Sequence, residues 1–374
     1  MKFSINKEIL LEGLNNVSKA LSSKTLIPVL NGIKFILKKE GLYLIGSDSD
    51  ITIQTFIEKD KYINSVEKEG AIILQGKYIV EIIRKLPNEI INIEVIDGLK
   101  TLISTKNTEF NLNGIDPNEY PNIKFEENKN PILLNKKVFK NIIMQTSFSI
   151  STQETRPLLT GINFKISKNI MECIATDSYR LSKKIVNLNK NYDDLINIIV
   201  PGKNLLELFK ILDEEDNNIE IHIFNNKILF KFDNILFQTR LLNGTYPDTS
   251  KLIPEKFSIE IICNTEEFYN VIDRASLLMN DRDKNIVKLE TKDNMIIISS
   301  NAPEIGKVEE RLDINKKEKN NIKISFSARY MMEAIKSIKS EQIKILLNGE
   351  IKPIIIKSLD DNNLIQLILP IKTY

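Results

Sequence analysis

Six cationic residues form three pairs, Lys77 with Arg84, Lys203 with Lys210 and Arg329 with Lys336; partners are 7 residues apart and successive pairs 126 apart. At about 100° per residue both members of a pair fall roughly 150° from the centre of their segment's apolar stripe, so each pair occupies one exposed helical face. Cations held at repeated places, with no base-reading side chain beside them, suit contact with phosphates rather than base edges. Lys24, Gln153 and Arg282, each 129 residues from the next, add a loop to the pattern. Aromatic residues do not alternate with these cations as single-strand binders require, so the nucleic acid implied is duplex. Lysine and arginine also decorate any solvated helix face; the threefold recurrence is what favours phosphate.

Groups that could do covalent chemistry lack the necessary company. The segment from Gly70 to Tyr78 resembles a phosphate loop, yet it has Tyr78 where a magnesium-binding hydroxyl belongs and apolar residues where the loop must flex. His222 is the only histidine, inside the strand-like Glu220-Ile221-His222-Ile223, with neither metal-ligand spacing nor a nucleophile nearby. The run from Asp213 to Asn218 lacks the glycine and distal glutamate of a calcium loop and reads as a solvated turn. Cys173 and Cys263, the only cysteines, occupy non-equivalent positions and read as core residues. No cofactor, metal or catalytic site is expected, which disfavours a hydrolase or nucleotide-binding enzyme.

The elements that must position the cations recur with them. Asn6 to Leu21, Asn135 to Ile150 and Asn264 to Met279 each carry apolar residues spaced four, three and four, predicting an amphipathic helix behind an asparagine N-cap. A second helix carries Ile79, Ile82, Ile83 and Leu86, repeated at 126 residues as Leu205, Leu208, Phe209 and Leu212, then Met331, Ala334, Ile335 and Ile338. Short runs with strand character lie between, among them Lys34 to Leu37, Leu42 to Ile45, Ile51 to Ile57, Ala71 to Leu74, Ile91 to Ile96, Thr101 to Thr105 and Phe110 to Leu112. The expected fold is α+β, three repeated domains each with two helices on one side of antiparallel sheets. Turn motifs Asn113-Gly114 with Tyr120-Pro121, and Asn243-Gly244 with Tyr246-Pro247, set expected domains at 1–126, 127–252 and 253–374.

Composition agrees with a soluble globular chain. Of 374 residues, 42% are hydrophobic and 27% charged, with a net charge of only +2. A nearly neutral chain cannot grip DNA by charge alone at cellular salt, so retention needs another device, such as topology. No apolar run approaches the ~20 residues of a membrane span and no signal region follows Met1, giving a cytoplasmic expectation without membrane attachment.

Positions that break the repeat point elsewhere. Arg156 stands where the first repeat has Ile27, and Arg180 where it has Ile51. With Leu159, Leu181, Pro247 and the apolar C-terminal tail they would frame an apolar pocket with polar edges, suited to a peptide. Two drifted surface arginines are the competing reading.

The start Met1-Lys2-Phe3, the segment Thr25-Leu26-Ile27-Pro28-Val29-Leu30, Ala175-Thr176-Asp177-Ser178-Tyr179-Arg180-Leu181, Asn243 to Asp248, and Leu367-Ile368-Leu369-Pro370-Ile371 together resemble the bacterial replication sliding clamp family, the β subunit of DNA polymerase III, across essentially the whole chain. The resemblance implies a processivity factor without catalysis. It implies a head-to-tail homodimer closing a six-domain ring around duplex DNA, with helices inward. Further implied partners are the replicative polymerase α subunit, the clamp loader, and repair or replication proteins bearing clamp-binding motifs. It carries over a peptide pocket of Arg156, Leu159, Thr176, Ser178, Tyr179, Arg180, Leu181, Pro247, Lys251, Leu252, Pro353, Leu369, Pro370 and Ile371, and a dimer interface at Phe110, Leu277 and Leu278. Where family members often have Gly-His before Arg180 and arginine at position 251, this chain has Ser178-Tyr179 and Lys251. The rival from the residues alone is a non-catalytic, peptide-binding adaptor built of repeats.

Overall fold

The computed structural model describes residues 1–22, 25–96, 98–278, 285–316 and 320–372. Among them are seven helices: α1 (Lys7–Ser18), the single turn α2 (Lys59–Tyr62), α3 (Gly76–Lys85), α4 (Lys136–Thr146), α5 (Gly202–Ile211), α6 (Thr265–Ser276) and α7 (Ala328–Lys336).

The asparagine caps form as the sequence predicts. The side-chain oxygens of Asn6, Asn135 and Asn264 accept hydrogen bonds from the backbone N–H groups of Glu8, Lys137 and Glu267 at 2.8, 2.9 and 3.0 Å. These contacts satisfy donors that the first helical turn leaves unpaired. The apolar stripes are buried, with Leu10, Leu14 and Val17 in α1 matched by Phe268, Ile272 and Ala275 in α6. Helix α1 nevertheless stops short of Leu21. After Ser18 the N–H groups of Lys19, Ala20 and Leu21 bond three residues back, at 3.3, 3.1 and 3.1 Å, a tightened turn that ends the helix early.

Two compact units are defined by the chain's own contacts, Met1–Lys137 with Glu207–Leu241, and Val138–Leu206 with Leu242–Tyr374. In the first, an eight-stranded sheet runs Ile132–Asn135, Asn218–Ile223, Lys227–Phe232, Ile235–Arg240, Ile51–Glu58, Gly41–Ser47, Gly32–Leu37, Gly70–Gln75. A five-stranded sheet in the same unit runs Ile63–Lys68, Lys2–Asn6, Ile90–Val95, Lys100–Ser104, Glu109–Asn113. In the second unit a seven-stranded sheet runs Gly161–Thr176, Arg180–Pro201, Leu364–Ile368, Ile354–Ser358, Gln342–Leu347, Ile259–Asn264, Asn315–Lys316. Its companion has four strands, Gly306–Asp313, Met295–Ala302, Ile286–Lys292 and Lys323–Ser327.

The larger sheets cross the sequence repeats. Strand Ile235–Arg240 of the middle repeat pairs antiparallel with Ile51–Glu58 of the first, Phe237 opposite Ile53. Strand Leu364–Ile368 of the third repeat pairs with the start of Arg180–Pro201 in the middle one, Leu367 opposite Leu181. Backbone hydrogen bonding and apolar pairs therefore continue from one repeat into the next. The sequence reading missed strands Lys2–Asn6 and Ile63–Lys68, in which only Phe3, Ile5 and Ile63 are buried.

Candidate functional site

Each second helix presents its predicted cations to solvent: Lys77 and Arg84 on α3, Lys203 and Lys210 on α5, Arg329 and Lys336 on α7 are all exposed. Beneath them Ile79, Ile83, Leu205, Leu208, Met331 and Ile335 are buried, so the apolar stripe fixes which way the cations face. Gln153 is exposed in the loop before Arg156, whereas Lys24 and Arg282 lie outside the described residues.

The turn leading to Arg180 is built like its counterpart in the first repeat. Asp177 Oδ1 accepts from the N–H groups of Tyr179 and Arg180 at 2.9 and 3.0 Å, and Asp48 Oδ1 accepts from Asp50 and Ile51 at 3.1 and 2.9 Å. Ser178 and Ser49 both take left-handed backbone angles, φ 78° and 84°. One scaffold thus carries two different decorations.

Arg156 Nη1 donates to Ser178 Oγ at 2.9 Å from an exposed position. Arg180 behaves otherwise, being only 6% exposed. Its Nε lies 3.0 Å from Asp177 Oδ2, its Nη1 is ion-paired with Glu333, and its guanidinium carbon lies 5.3 Å from the Phe148 ring centre and 4.3 Å from that of Tyr330. Arg180 is thus committed to two carboxylates and two rings, and with Arg156, Asp177 and Tyr179 it lines a small cavity of about 140 Å³. Sequence reasoning missed Glu333, Phe148 and Tyr330; the signal for Glu333 was a further recurrence at 126 residues, from Glu81 and Glu207.

Around the turn, Leu159 and Leu181 are buried in a cluster with Ile174, Ile199, Tyr246, Ile355 and Leu367. Tyr246 accepts the Thr176 N–H at 3.0 Å, and Thr176 Oγ1 donates to Arg180 O at 2.6 Å. Pro247, Lys251 and Leu252 are exposed just beyond Tyr246, and Pro353 is half-buried before strand Ile354–Ser358. The tail is tied at two points, the Leu369 N–H to Tyr179 O at 2.9 Å and the Ile371 N–H to Ser325 O at 2.7 Å. A cavity of about 540 Å³ opens there, lined by Tyr179, Leu369, Pro370 and Ile371 with Asn285, Ser327, Arg329 and Tyr330. Tyr179 is 62% exposed at its rim. An apolar, partly aromatic hollow with backbone already paired suits an extended apolar peptide.

The interface candidates also reach solvent. Phe110 lies on the edge strand Glu109–Asn113 and is 37% exposed, Leu277 is 75% exposed just after α6, and Leu278 is half-buried beside it.

Other singled-out residues resolve as structure. His222 Nδ1 accepts the Asn128 N–H at 2.8 Å, leaving Nε2 to carry the proton toward Glu220 at 3.2 Å. Glu127 and Glu220 gather near that ring, but Lys231, 2.6 Å from Glu127, supplies the positive charge. The acidic run is not merely solvated, since Asp213, with Asp233, holds the fully buried Lys136 at 2.7 and 2.6 Å. Burial opposes the Lys136 ammonium, yet these two carboxylates outweigh it and raise its pKa. Cys173 and Cys263 are buried.

Repeated α+β modules sharing sheets, exposed cations on the second helices, and a hollow beside the tail define a clamp-type protein. Family models for the DNA polymerase III β subunit match in order, the N-terminal domain over residues 1–124, the central domain over 133–248 and the C-terminal domain over 250–372. The chain is 44% identical to the β sliding clamp of Bacillus subtilis and 42% identical to that of Staphylococcus epidermidis, all of each chain being covered. It superposes on the Bacillus subtilis sliding clamp structure with a TM-score of 0.97 over all of both chains, and on the Streptococcus pneumoniae DNA polymerase III β chain with 0.95, at 35% identity and the same full coverage. The chain belongs to the DNA polymerase III β subunit family, the bacterial sliding clamps, which are non-catalytic processivity factors.

Proposed function

We propose that two copies of this chain join head to tail into a closed ring of six clamp domains that encircles duplex DNA and tethers the replicative polymerase. The observation that carries this reading is an unfinished pattern of strand pairing. Strand Ile235–Arg240 pairs back onto the first repeat, and the equivalent Leu364–Ile368 pairs back onto the middle one. The remaining equivalents, Glu109–Asn113 of the first repeat and Gly306–Asp313 of the third, each end their sheet. A second copy, related by a two-fold axis, would make that third kind of joint twice and leave neither edge open.

Within such a ring the six helical cations of each chain would meet phosphates without preference for sequence, while closure supplies the retention that a net charge of +2 cannot. Lys24, Gln153 and Arg282 are assigned to the same DNA contact. The peptide pocket is assigned to Arg156, Leu159, the Thr176–Leu181 turn, Pro247, Lys251, Leu252, Pro353 and the Leu369–Ile371 tail. Its occupants would be clamp-binding segments of the polymerase, clamp loader and repair proteins, in the bacterial cytoplasm. Domains meeting near residues 126 and 252 fit the repeat. Among the described residues no helix is long and apolar enough to cross a membrane.

The test is retention after loading. The protein should stay on nicked circular DNA and run off the same DNA once linearised, with a solution mass of twice the 43.0 kDa chain. Equal retention on both forms, or a persistent monomer, would overturn the proposal.

A further inference from the structure

The second helix of every repeat also carries an acid between its two cations. Glu81, Glu207 and Glu333 are 126 residues apart, each four residues after the first cation and three before the second. In α3 Glu81 is ion-paired with Arg84, and in α5 Glu207 Oε1 lies 2.7 Å from Lys210 Nζ. In α7 the carboxylate turns the other way, to Arg329 Nε at 3.4 Å and to Arg180. There Lys336 instead lies over the Tyr269 ring, 5.0 Å from its centre. Among the described residues no carboxylate pairs with Lys77 or Lys203, and Lys77 sits 5.9 Å from the Tyr78 ring centre. Each helix thus presents one cation held by a carboxylate and one that is not.

We infer that Glu81, Glu207 and Glu333 set how loosely the helix faces hold the DNA backbone, an inference that rests on the duplex-DNA reading above. A phosphate approaching Arg84 or Lys210 must displace a carboxylate already in place, so these cations release fewer counterions per contact than free ones. The exposed pairs are weak enough to exchange readily. Half the cations are therefore moderated, which keeps the surface attractive to any duplex while levelling the barriers between successive phosphate registers. The arrangement in α7 shows why the third repeat differs: Arg180 draws Glu333 toward the middle repeat, and Arg329 rather than Lys336 becomes the held cation.

Plain helix support is the competing role, since i,i+3 pairs stabilise helices. Such a role would leave the salt dependence of DNA binding unmoved. The experiment compares the full chain with an E81Q/E207Q variant, leaving Glu333 to hold Arg180, and with a K77Q/K203Q variant. Binding of a fluorescent duplex of about 30 base pairs is followed by anisotropy across salt, with circular dichroism checking the fold. The slope of log Kobs against log salt should steepen by about 0.9 per cation released, so the affinity lost between about 50 and about 200 mM salt grows about 3.5-fold per cation. The K77Q/K203Q variant should flatten the slope. A flattened slope in that variant with no change in E81Q/E207Q would overturn this inference and leave DNA binding standing. No change in either variant would overturn the DNA contact itself.

Discussion

The guanidinium carbon of Arg180 lies 4.3 Å from the centre of the Tyr330 ring, so a side chain from the middle repeat is stacked on helix α7 of the third. Asp177 and Glu333 flank it, and Glu333 also reaches Arg329. Because Arg180 is 6% exposed, Arg180→Ala would leave two carboxylates facing a cavity. The expected loss is about 3 kcal/mol, a fall in Tm on the order of 10 °C by calorimetry. Arg180→Lys should recover only part of this, since an ammonium cannot reproduce the planar stack. An Ala variant that melts with the parent would show that the stack carries no load.

Tyr179 contributes differently, as an exposed ring on a turn whose backbone is already satisfied by Asp177. Removing it should cost binding rather than folding. Tyr179→Ala is expected to weaken a fluorescent clamp-binding peptide by roughly tenfold with Tm unchanged, and Leu369→Ala similarly. Undiminished peptide affinity in both would move the pocket elsewhere.

How far these features were legible in the chain depends on whether they repeat. The helix stripes, asparagine caps and paired cations recur at fixed offsets, and local periodicity alone places them. Arg156 and Arg180 stood out because they break that recurrence, yet their different fates could not be read from it. Burial of Arg180 depends on Phe148, Tyr330 and Glu333, which come from distant parts of the chain. Strand Lys2–Asn6 was similarly hidden, being short and defined mainly by its partners Ile63–Lys68 and Ile90–Val95. Lys136, three residues before the buried Phe139, reads as an ordinary helix-start lysine until Asp213 and Asp233 are seen to close over it.

The edge strands Glu109–Asn113 and Gly306–Asp313 make a prediction about assembly. Leu277 is 75% exposed and Phe110 37% exposed, exposures that a dimer joint would remove. Leu277→Asp with Phe110→Ala should weaken self-association by at least 2 kcal/mol, roughly 30-fold in Kd, by removing apolar anchors and placing a charge in the joint. Sedimentation equilibrium should then show the 43.0 kDa chain alone at concentrations where the parent is a dimer. A variant that stays dimeric at every dilution would locate the joint away from these residues.

Alkaline pH gives a separate test of the second unit, which contains both cysteines. Burial pushes the Cys263 thiol up to about 12 and pushes Cys173 higher still. In the unfolded chain each thiol ionises near about 8.5. Below that pH both states hold the proton and the cysteines contribute no pH dependence. Between about 8.5 and about 12 the unfolded state gives up protons that the folded state keeps, so stability falls as pH rises, by about 1.4 kcal/mol per pH unit for each cysteine. Tyr246, also raised by burial, adds to the decline once the unfolded phenol ionises near about 10. Cys263→Ala should offset the whole curve downward, because a buried side chain is truncated, while reducing its slope by about 1.4 kcal/mol per pH unit. Urea unfolding between pH of about 8.5 and about 11, read from the transition of this unit, separates offset from slope. Parallel curves for parent and variant would mean that the Cys263 thiol reaches solvent in the native state.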